Sequence, residues 1–165
     1  MVETLGLGAS LLGLALASSA GADAVVWKRV ADAHASSLEL PISILKPKTD
    51  PLGLKFEADD GATIYVSTVT EPRADFPGHN PKEDMDLKRS DCTVWPPAYH
   101  VVKKQLAAYS CVKGERIEYY IARYTPYGSM ALTVEYPKDH AGFWSKLVER
   151  MAGSMRQVKR REVWP

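Results

Sequence analysis

The sequence lacks the short motifs that identify most enzymes and cofactor-binding proteins. Its 165 residues contain no Gly-x-Ser-x-Gly nucleophile motif, no phosphate-binding glycine loop and no dinucleotide-binding fingerprint. Only two cysteines are present and they form no Cys-x-x-Cys pair, which excludes a thioredoxin-type redox motif and a thiolate zinc set. We therefore expect no cofactor, and no motif assigns a catalytic residue or a metal ligand.

An excess of either charge is also missing. The chain has 21 basic and 20 acidic residues, and its formal net charge is +1. Nucleic-acid-binding proteins present a clustered basic face, so we expect no nucleic-acid partner. The composition, 45% hydrophobic and 25% charged, is that of one globular domain large enough to bury a core without a metal.

The N-terminal segment has almost no charge. Residues 5 to 20 form an apolar run rich in Gly and Ala, and Ala20-Gly21-Ala22 is the small-x-small pattern that signal peptidase accepts. The run is shorter than the ~20 apolar residues of a spanning helix. We predict that residues 1 to 22 are a secretory signal peptide. No Lys or Arg precedes the run, so either the true start lies upstream or the segment is a retained anchor, which is the alternative to cleavage.

This interpretation places the protein in the periplasm or outside the cell, attached to the membrane if the N-terminal segment is retained. Residues 23 to 158 are then a single domain, and residues 159 to 165 a basic tail with a terminal Trp-Pro. The tail is typical of a solvated chain end. Contact with an acidic membrane surface, as peripheral association, or with a partner is the alternative.

Alternating apolar and polar residues predict most of a sheet. Residues 115 to 124 and 129 to 136 alternate with a period of two around a Pro-Tyr-Gly turn, which indicates an antiparallel hairpin. A second hairpin is predicted around Asp59-Asp60-Gly61. Further strands are predicted over residues 40 to 45, 99 to 105 and 107 to 112, with a turn over residues 46 to 51.

A helix is predicted after the sheet. Apolar residues from Phe143 to Met155 recur with helical spacing and form one stripe, and Asp139 is the expected N-cap. Residues 71 to 97 hold five prolines, which indicates a long excursion with a helical turn around residues 83 to 88. The predicted fold class is α+β, a mostly antiparallel sheet of about six or seven strands backed by helices on one face.

Four segments carry a resemblance to known proteins: PISILKP from residue 41, ATIYVS from residue 62, YHVVKKQLAAYSCVKGERIEYYIARY from residue 99 and ALTVEYPKDHAGFWSKLVERMAGSM from residue 131. Together they resemble small exported bacterial proteins of unassigned function with a PsbP-like α/β/α fold. The resemblance implies a secreted domain attached to, or working beside, a larger partner. It carries over no active site, and the proline-rich residues 71 to 97 depart from it.

The two cysteines are Cys92, in the excursion, and Cys111, on a predicted strand. In an oxidising compartment they most simply form one disulfide that pins the excursion to the sheet. The loop that this bond closes corresponds to a stabilisation of about 3 kcal/mol. Two separate thiols are the alternative.

His79 is the histidine best placed for a functional role. It lies in a constrained Pro-Gly-His-Asn-Pro loop, followed by the acids Glu83, Asp84 and Asp86. Imidazole and carboxylate groups can bind a divalent cation, but the spacing matches no known metal motif. The loop is therefore the centre of our alternative hypothesis for function, a small secreted hydrolase or metal-dependent enzyme.

Aromatic residues suggest a binding surface. The chain has eight tyrosines and four tryptophans, and several tyrosines fall on or beside the polar sheet face with arginines as neighbours. Tyr and Arg are enriched at protein interfaces, although tyrosines also favour strands in general. The predicted binding residues are Tyr65, Arg116, Tyr120, Arg123, Tyr124, Tyr127 and His79. We predict an exported, non-catalytic binding or accessory domain that acts on a protein partner or a small ligand in the cell envelope.

Overall fold

The protein is described by a computed structural model that covers residues 25 to 32, 36 to 70, 80 to 126 and 128 to 157. Within these ranges the chain forms ten strands and two α-helices. The strands are β1 (Lys28–Ala31), β2 (Ser36–Leu40), β3 (Leu45–Lys48), β4 (Leu54–Ala58), β5 (Thr63–Thr70), β6 (Tyr99–Lys103), β7 (Leu106–Lys113), β8 (Arg116–Thr125), β9 (Gly128–Pro137) and β10 (Arg156–Gln157). The helices are α1 (Pro81–Leu87) and α2 (Ala141–Ser154). The predicted signal peptide and basic tail lie outside the described residues.

Seven of these strands form one antiparallel sheet in the order β3-β4-β5-β9-β8-β7-β6. Strand β9 lies between β5 and β8, and it pairs with β8 along its whole length and with β5 over residues 128 to 135. A smaller antiparallel sheet has the order β1-β2-β10. The described part of the chain therefore confirms the predicted α+β class and both predicted hairpins.

The two helices cover opposite faces of the large sheet. Ile121 packs in the core that contains α2, whereas its neighbour Tyr120 packs in a second cluster with Met85 of α1. Since consecutive strand residues point to opposite faces, we call these the α2 face and the α1 face. The expectation of helices on one face is wrong, because β7 and β8 carry apolar residues on both faces and each set is buried under its own helix.

The larger core lies between the α2 face and the helix. Trp144 of α2 is fully buried there with Leu132 and Val134 of the central strand. Strand β2 adds Leu38 and Leu40 to the same cluster, so the small sheet closes the side of this core. Burial of one broad stripe of α2 supplies the stabilisation that a helix of 14 residues lacks in water.

Two details of the predicted secondary structure are wrong. The strand expected over residues 40 to 45 is interrupted after Leu40 by a 3-10 turn, Ile42–Ile44, in which the Ile44 N–H donates to the Pro41 carbonyl at 3.2 Å. Pro41 has no N–H to continue the ladder. Strand β3 then occupies the first half of the expected turn.

The second error concerns the start of α2. A 3-10 turn, Lys138–His140, precedes the helix, so that α2 begins one residue after His140. His140 is therefore the N-cap residue and makes no side-chain capping hydrogen bond. Asp139, the expected N-cap, lies inside the 3-10 turn.

Helix α1 confirms the helical turn predicted in the excursion. The Asn80 side chain accepts a hydrogen bond from the Lys82 N–H at 3.0 Å, and Pro81 occupies the first helical position. The predicted disulfide is also confirmed, since the Sγ atoms of Cys92 and Cys111 are 2.09 Å apart. It ties the segment after α1 to β7. Across the described ranges, no helix has the length and hydropathy needed to cross a membrane.

Candidate binding site

Two of the predicted binding residues are buried beneath α1. Tyr120 and Tyr124 lie on the α1 face of β8, with 6% and 7% of their surfaces exposed. The Tyr124 hydroxyl donates to Asp84 Oδ2 of α1 at 2.6 Å, and Lys88 Nζ lies 5.3 Å from the Tyr120 ring centroid. These contacts fasten the helix to the sheet, and they leave neither ring as an open surface.

Burial has the expected effect on the acidity of these phenols. It raises the pKa of Tyr120 to about 12. Burial, followed by the hydrogen bond to Asp84, raises the pKa of Tyr124 well above its ordinary value. Both hydroxyls therefore stay protonated at physiological pH, which suits a packing role and not a role as a general base.

Tyr65 and Arg116 lie on the same face but outside the cover of α1. Tyr65 is half-buried on β5, in one cross-strand row with Thr133 and Tyr120. Arg116 forms an ion pair with the Glu135 carboxylate, and its Nη2 donates to the Gly61 carbonyl at 2.8 Å. Arg116 thus joins the β4–β5 turn to the central strands, and its guanidinium is already engaged.

Arg123 lies on the opposite face from the other predicted residues of β8. Its register partner Leu106 packs against the core of the α2 face, and its Nη2 donates to the Ala152 carbonyl of α2 at 3.4 Å. The expectation that Arg123 neighbours the tyrosines of the polar face is therefore wrong. Tyr127 and His79 lie outside the described residues.

Arg123 and Tyr124 do share one feature, a pocket of about 510 Å³ at one end of the large sheet. We call it the basic pocket. It lies among the β6–β7 turn, the end of β8 and the segment that leaves α2. Its cationic lining residues are Lys103, Lys104, Arg123 and Arg156, and its apolar ones include Leu106 and Met155. None of the described residues that line it is Asp or Glu.

Local structure places these cations. Lys103 ends β6 and Lys104 lies in the following turn, which the Tyr124 N–H holds through a hydrogen bond to the Gln105 carbonyl at 3.1 Å. Arg156 follows α2, and its Nη1 donates to the Gly153 and Met155 carbonyls at 3.1 and 2.9 Å. Arg123 and Arg156 thus both donate to carbonyls at the C-terminal end of α2, where a positive charge complements the helix dipole.

The sequence did not identify Lys103, Lys104 and Arg156 as site residues. They come from two segments separated by about fifty residues, and only the packing of α2 brings them together. One signal was available for Arg123. It is two residues from Ile121, so the period of two places both on the same face.

Two polar clusters outside the pocket were also missed. Glu118 is buried on β8, where its carboxylate accepts hydrogen bonds from the Tyr109 hydroxyl and from Lys113 Nζ, the latter at 3.1 Å. Asp60 accepts from Trp144 Nε1 at 2.7 Å and contacts His140 Nδ1 at 2.9 Å. Both carboxylates are satisfied by neighbouring elements of the fold.

No cluster of three or more His, Cys, Asp or Glu residues suited to holding a metal occurs in the described ranges. The acids that follow His79 in the sequence are divided between different environments. Glu83 is exposed and accepts a 3.3 Å hydrogen bond from Asn80, whereas Asp84 contacts Tyr124. The described geometry thus joins Asp84 to the packing of α1.

The arrangement as a whole is a PsbP-like fold, an antiparallel sheet with a helix on each face. No protein-family profile matches the sequence. No curated protein matches it either. Among solved structures, the chain is similar to the solution structure of cyanobacterial PsbP (CyanoP) from Synechocystis sp. PCC 6803, with a TM-score of 0.58 and 12% sequence identity. The match covers 87% of this chain and 99% of CyanoP, and at this identity it supports the fold alone.

Proposed function

We propose that the chain is an exported, non-catalytic binding domain of the cell envelope, which holds a protein partner or a small ligand at the basic pocket. The observation that carries this proposal is the charge of that pocket. Four cations line it and no acid occurs among its described lining residues, whereas the chain as a whole is close to neutral. A protein that concentrates one charge in a concave site favours ligands of the opposite charge.

The cellular location in this proposal rests on the disulfide. Disulfides persist in oxidising compartments such as the bacterial periplasm and are rare in the cytosol. The bond between Cys92 and Cys111 is therefore compatible with export. The apolar residues 5 to 20, with a small-x-small pattern after them, support the same location.

The test is crosslinking and co-purification of the full chain from native periplasm and membranes, followed by mass spectrometry. We expect a crosslinked partner or a retained small ligand whose recovery falls when Lys103 and Lys104 are both changed to Gln. A matched variant with Lys55 and Lys146 changed to Gln loses the same charge at exposed positions outside the pocket, and it should retain the partner.

The competing hypothesis is a hydrolase or metal-dependent enzyme centred on His79. It predicts a stoichiometric bound metal in the purified protein, or an activity that His79→Ala removes. Either result, combined with recovery that does not depend on the pocket lysines, would replace our proposal. The same mass spectra would show whether residues 1 to 22 remain on the mature chain.

A further inference from the structure

We propose that the ligand of the basic pocket carries a phosphate group, which the four cations bind directly. This inference rests on the proposed binding function and narrows it to one ligand chemistry. The phosphate belongs either to a soluble phosphate ester or to an anionic phospholipid headgroup. The experiment below separates these two sources.

Within the described residues, the pocket lysines have no partner that explains them. Among the described residues, no carboxylate lies within 4.0 Å of the Lys103 or Lys104 ammonium, and neither side chain makes a hydrogen bond there. Most other basic groups on the large sheet are paired with acids, as in the contacts of Lys46 with Asp59 and of Lys48 with Glu57. Two neighbouring lysines without a carboxylate partner give this wall of the pocket a positive potential, which attracts an anion.

Arg123 contributes donors that no other described residue uses. Its only hydrogen bond among the described residues is the 3.4 Å contact from Nη2 to Ala152, and its buried Nε has no partner. A guanidinium has five N–H donors in a fixed planar fork, which matches the oxygens of phosphate and carboxylate groups. Arg123 thus places unused donors beside the pocket that it lines.

The number of cations favours phosphate over carboxylate. A carboxylate carries one negative charge and two oxygens, whereas a phosphate monoester carries about −1.5 to −2 charges and three acceptor oxygens. Four cations without an acid among the lining residues would be poorly matched by one carboxylate.

The volume of the pocket and its apolar lining residues indicate that the ligand is larger than phosphate itself. Its volume of about 510 Å³ falls within the range of small-molecule sites, roughly 300 to 1,000 Å³. Leu106 and Met155 give it apolar surface beside the cations. A phosphate on a small organic body fills such a site, with the charged group at the lysines and the body over the apolar wall.

The experiment is a titration of the isotope-labelled full chain, followed through its backbone amide resonances. The probes are inorganic phosphate, glycerol 3-phosphate and vesicles of phosphatidic acid, whose headgroup is a phosphate monoester, with phosphatidylcholine. We expect saturable shifts in the β6–β7 turn and at the end of β8. In the variant with Lys103→Gln and Lys104→Gln, we expect affinity at least about tenfold weaker, since two charge-assisted contacts are lost.

The variant with Lys55→Gln and Lys146→Gln is the matched control, and it should bind as the natural chain does. Both lysine pairs are exposed, so each variant is expected to fold, which its melting temperature checks. Saturable binding of glycerol 3-phosphate would identify a soluble ester as the source. Binding to phosphatidic acid vesicles, but not to the soluble probes or to pure phosphatidylcholine, would identify a lipid headgroup.

Two results would overturn the inference. One is the absence of saturable binding to every phosphate probe, and the other is equal affinity in the pocket variant and the natural chain. If pocket-dependent co-purification of a partner persisted in either case, the binding function would stand and only its phosphate chemistry would fall. If co-purification also failed to depend on the pocket, both proposals would fall together.

Discussion

Asp60 shows how one side chain joins three elements of this fold. It lies in the β4–β5 turn, where its Oδ1 accepts from the Ala62 N–H at 3.0 Å and its Oδ2 accepts from Trp144 Nε1 of α2. His140 Nδ1 lies 2.9 Å from the same Oδ2. Burial alone would raise the pKa of Asp60, but the hydrogen bonds from Trp144, Ala62 and His140 together lower it.

The Asp60–His140 contact predicts a specific pH dependence. The hydrogen bond to Asp60 raises the pKa of His140 above its ordinary value. A raised pKa in the folded state means that protonated His140 stabilises the fold below about pH 6.5, and that this contribution is lost as pH rises through the folded-state pKa. Asp60 stays ionised in that window because its own pKa is lowered.

We therefore expect His140→Gln to lower the urea midpoint of unfolding at pH 5.5 and to have less effect at pH 9. His140 is exposed, so the difference should be small and should shrink in high salt. Paired urea titrations of the natural chain and the variant at both pH values would measure it. A difference that is equal at both pH values, or larger at pH 9, would contradict the assignment.

At the scale of elements, the start of β9 depends on a glycine. Gly128 has a φ of +135°, and a Cβ built there would lie 2.0 Å from the Val69 carbonyl oxygen of β5. Only glycine readily adopts this φ, and the backbone of the paired strand leaves no room for a side chain. We expect Gly128→Ala to lower the free energy of unfolding by roughly 1 to 3 kcal/mol, measured by urea denaturation.

Gly142 provides the matched control for this substitution. It lies in α2, no atom is within 4 Å of a Cβ built there, and its φ is not in the left-handed region. Gly142→Ala should therefore be neutral or slightly stabilising, because alanine favours a helix more than glycine does. If the two variants were destabilised equally, the conformation assigned to the start of β9 would be wrong.

The same elements show what the sequence could predict. The sequence predicts strands β8 and β9 nearly to the residue, because their apolar residues alternate cleanly and Pro126 and Gly128 mark the change of direction between them. The strand predicted over residues 40 to 45 failed because Leu40, Ile42 and Ile44 alternate as a strand would. A 3-10 turn after Pro41 accommodates the same residues, and the period of two does not distinguish the two cases.

Across the whole molecule, the prediction failed where separate segments meet. The sequence identified the sheet and α2, yet it could not say that α1 covers the opposite face, since a short helix in a proline-rich excursion has no pattern that selects a face. The basic pocket shows more clearly that contacts between distant segments could not be predicted. Its cations at positions 103, 104, 123 and 156 become neighbours only when α2 packs on the sheet. No spacing within the sequence encodes that contact.

The disulfide connects the α1 layer to the rest of the molecule, and this role predicts which layer loosens first on reduction. Cys92 follows α1 and Cys111 lies in the smaller cluster, which also contains Met85, Tyr109 and Tyr120. The α2 core contains neither cysteine among its buried residues. Reduction should therefore increase amide hydrogen exchange in α1 and the segment after it, with much less change in α2.

Loss of the bond should also lower the free energy of unfolding by about 3 kcal/mol, because the unfolded chain regains the freedom of a loop spanning 19 residues. Urea titrations with and without dithiothreitol would measure this in the natural chain. The double variant Cys92→Ser, Cys111→Ser is the control, and reductant should leave its midpoint unchanged. If reduction increased amide hydrogen exchange equally in α1 and α2, the prediction would be wrong. The two layers would then unfold as one unit.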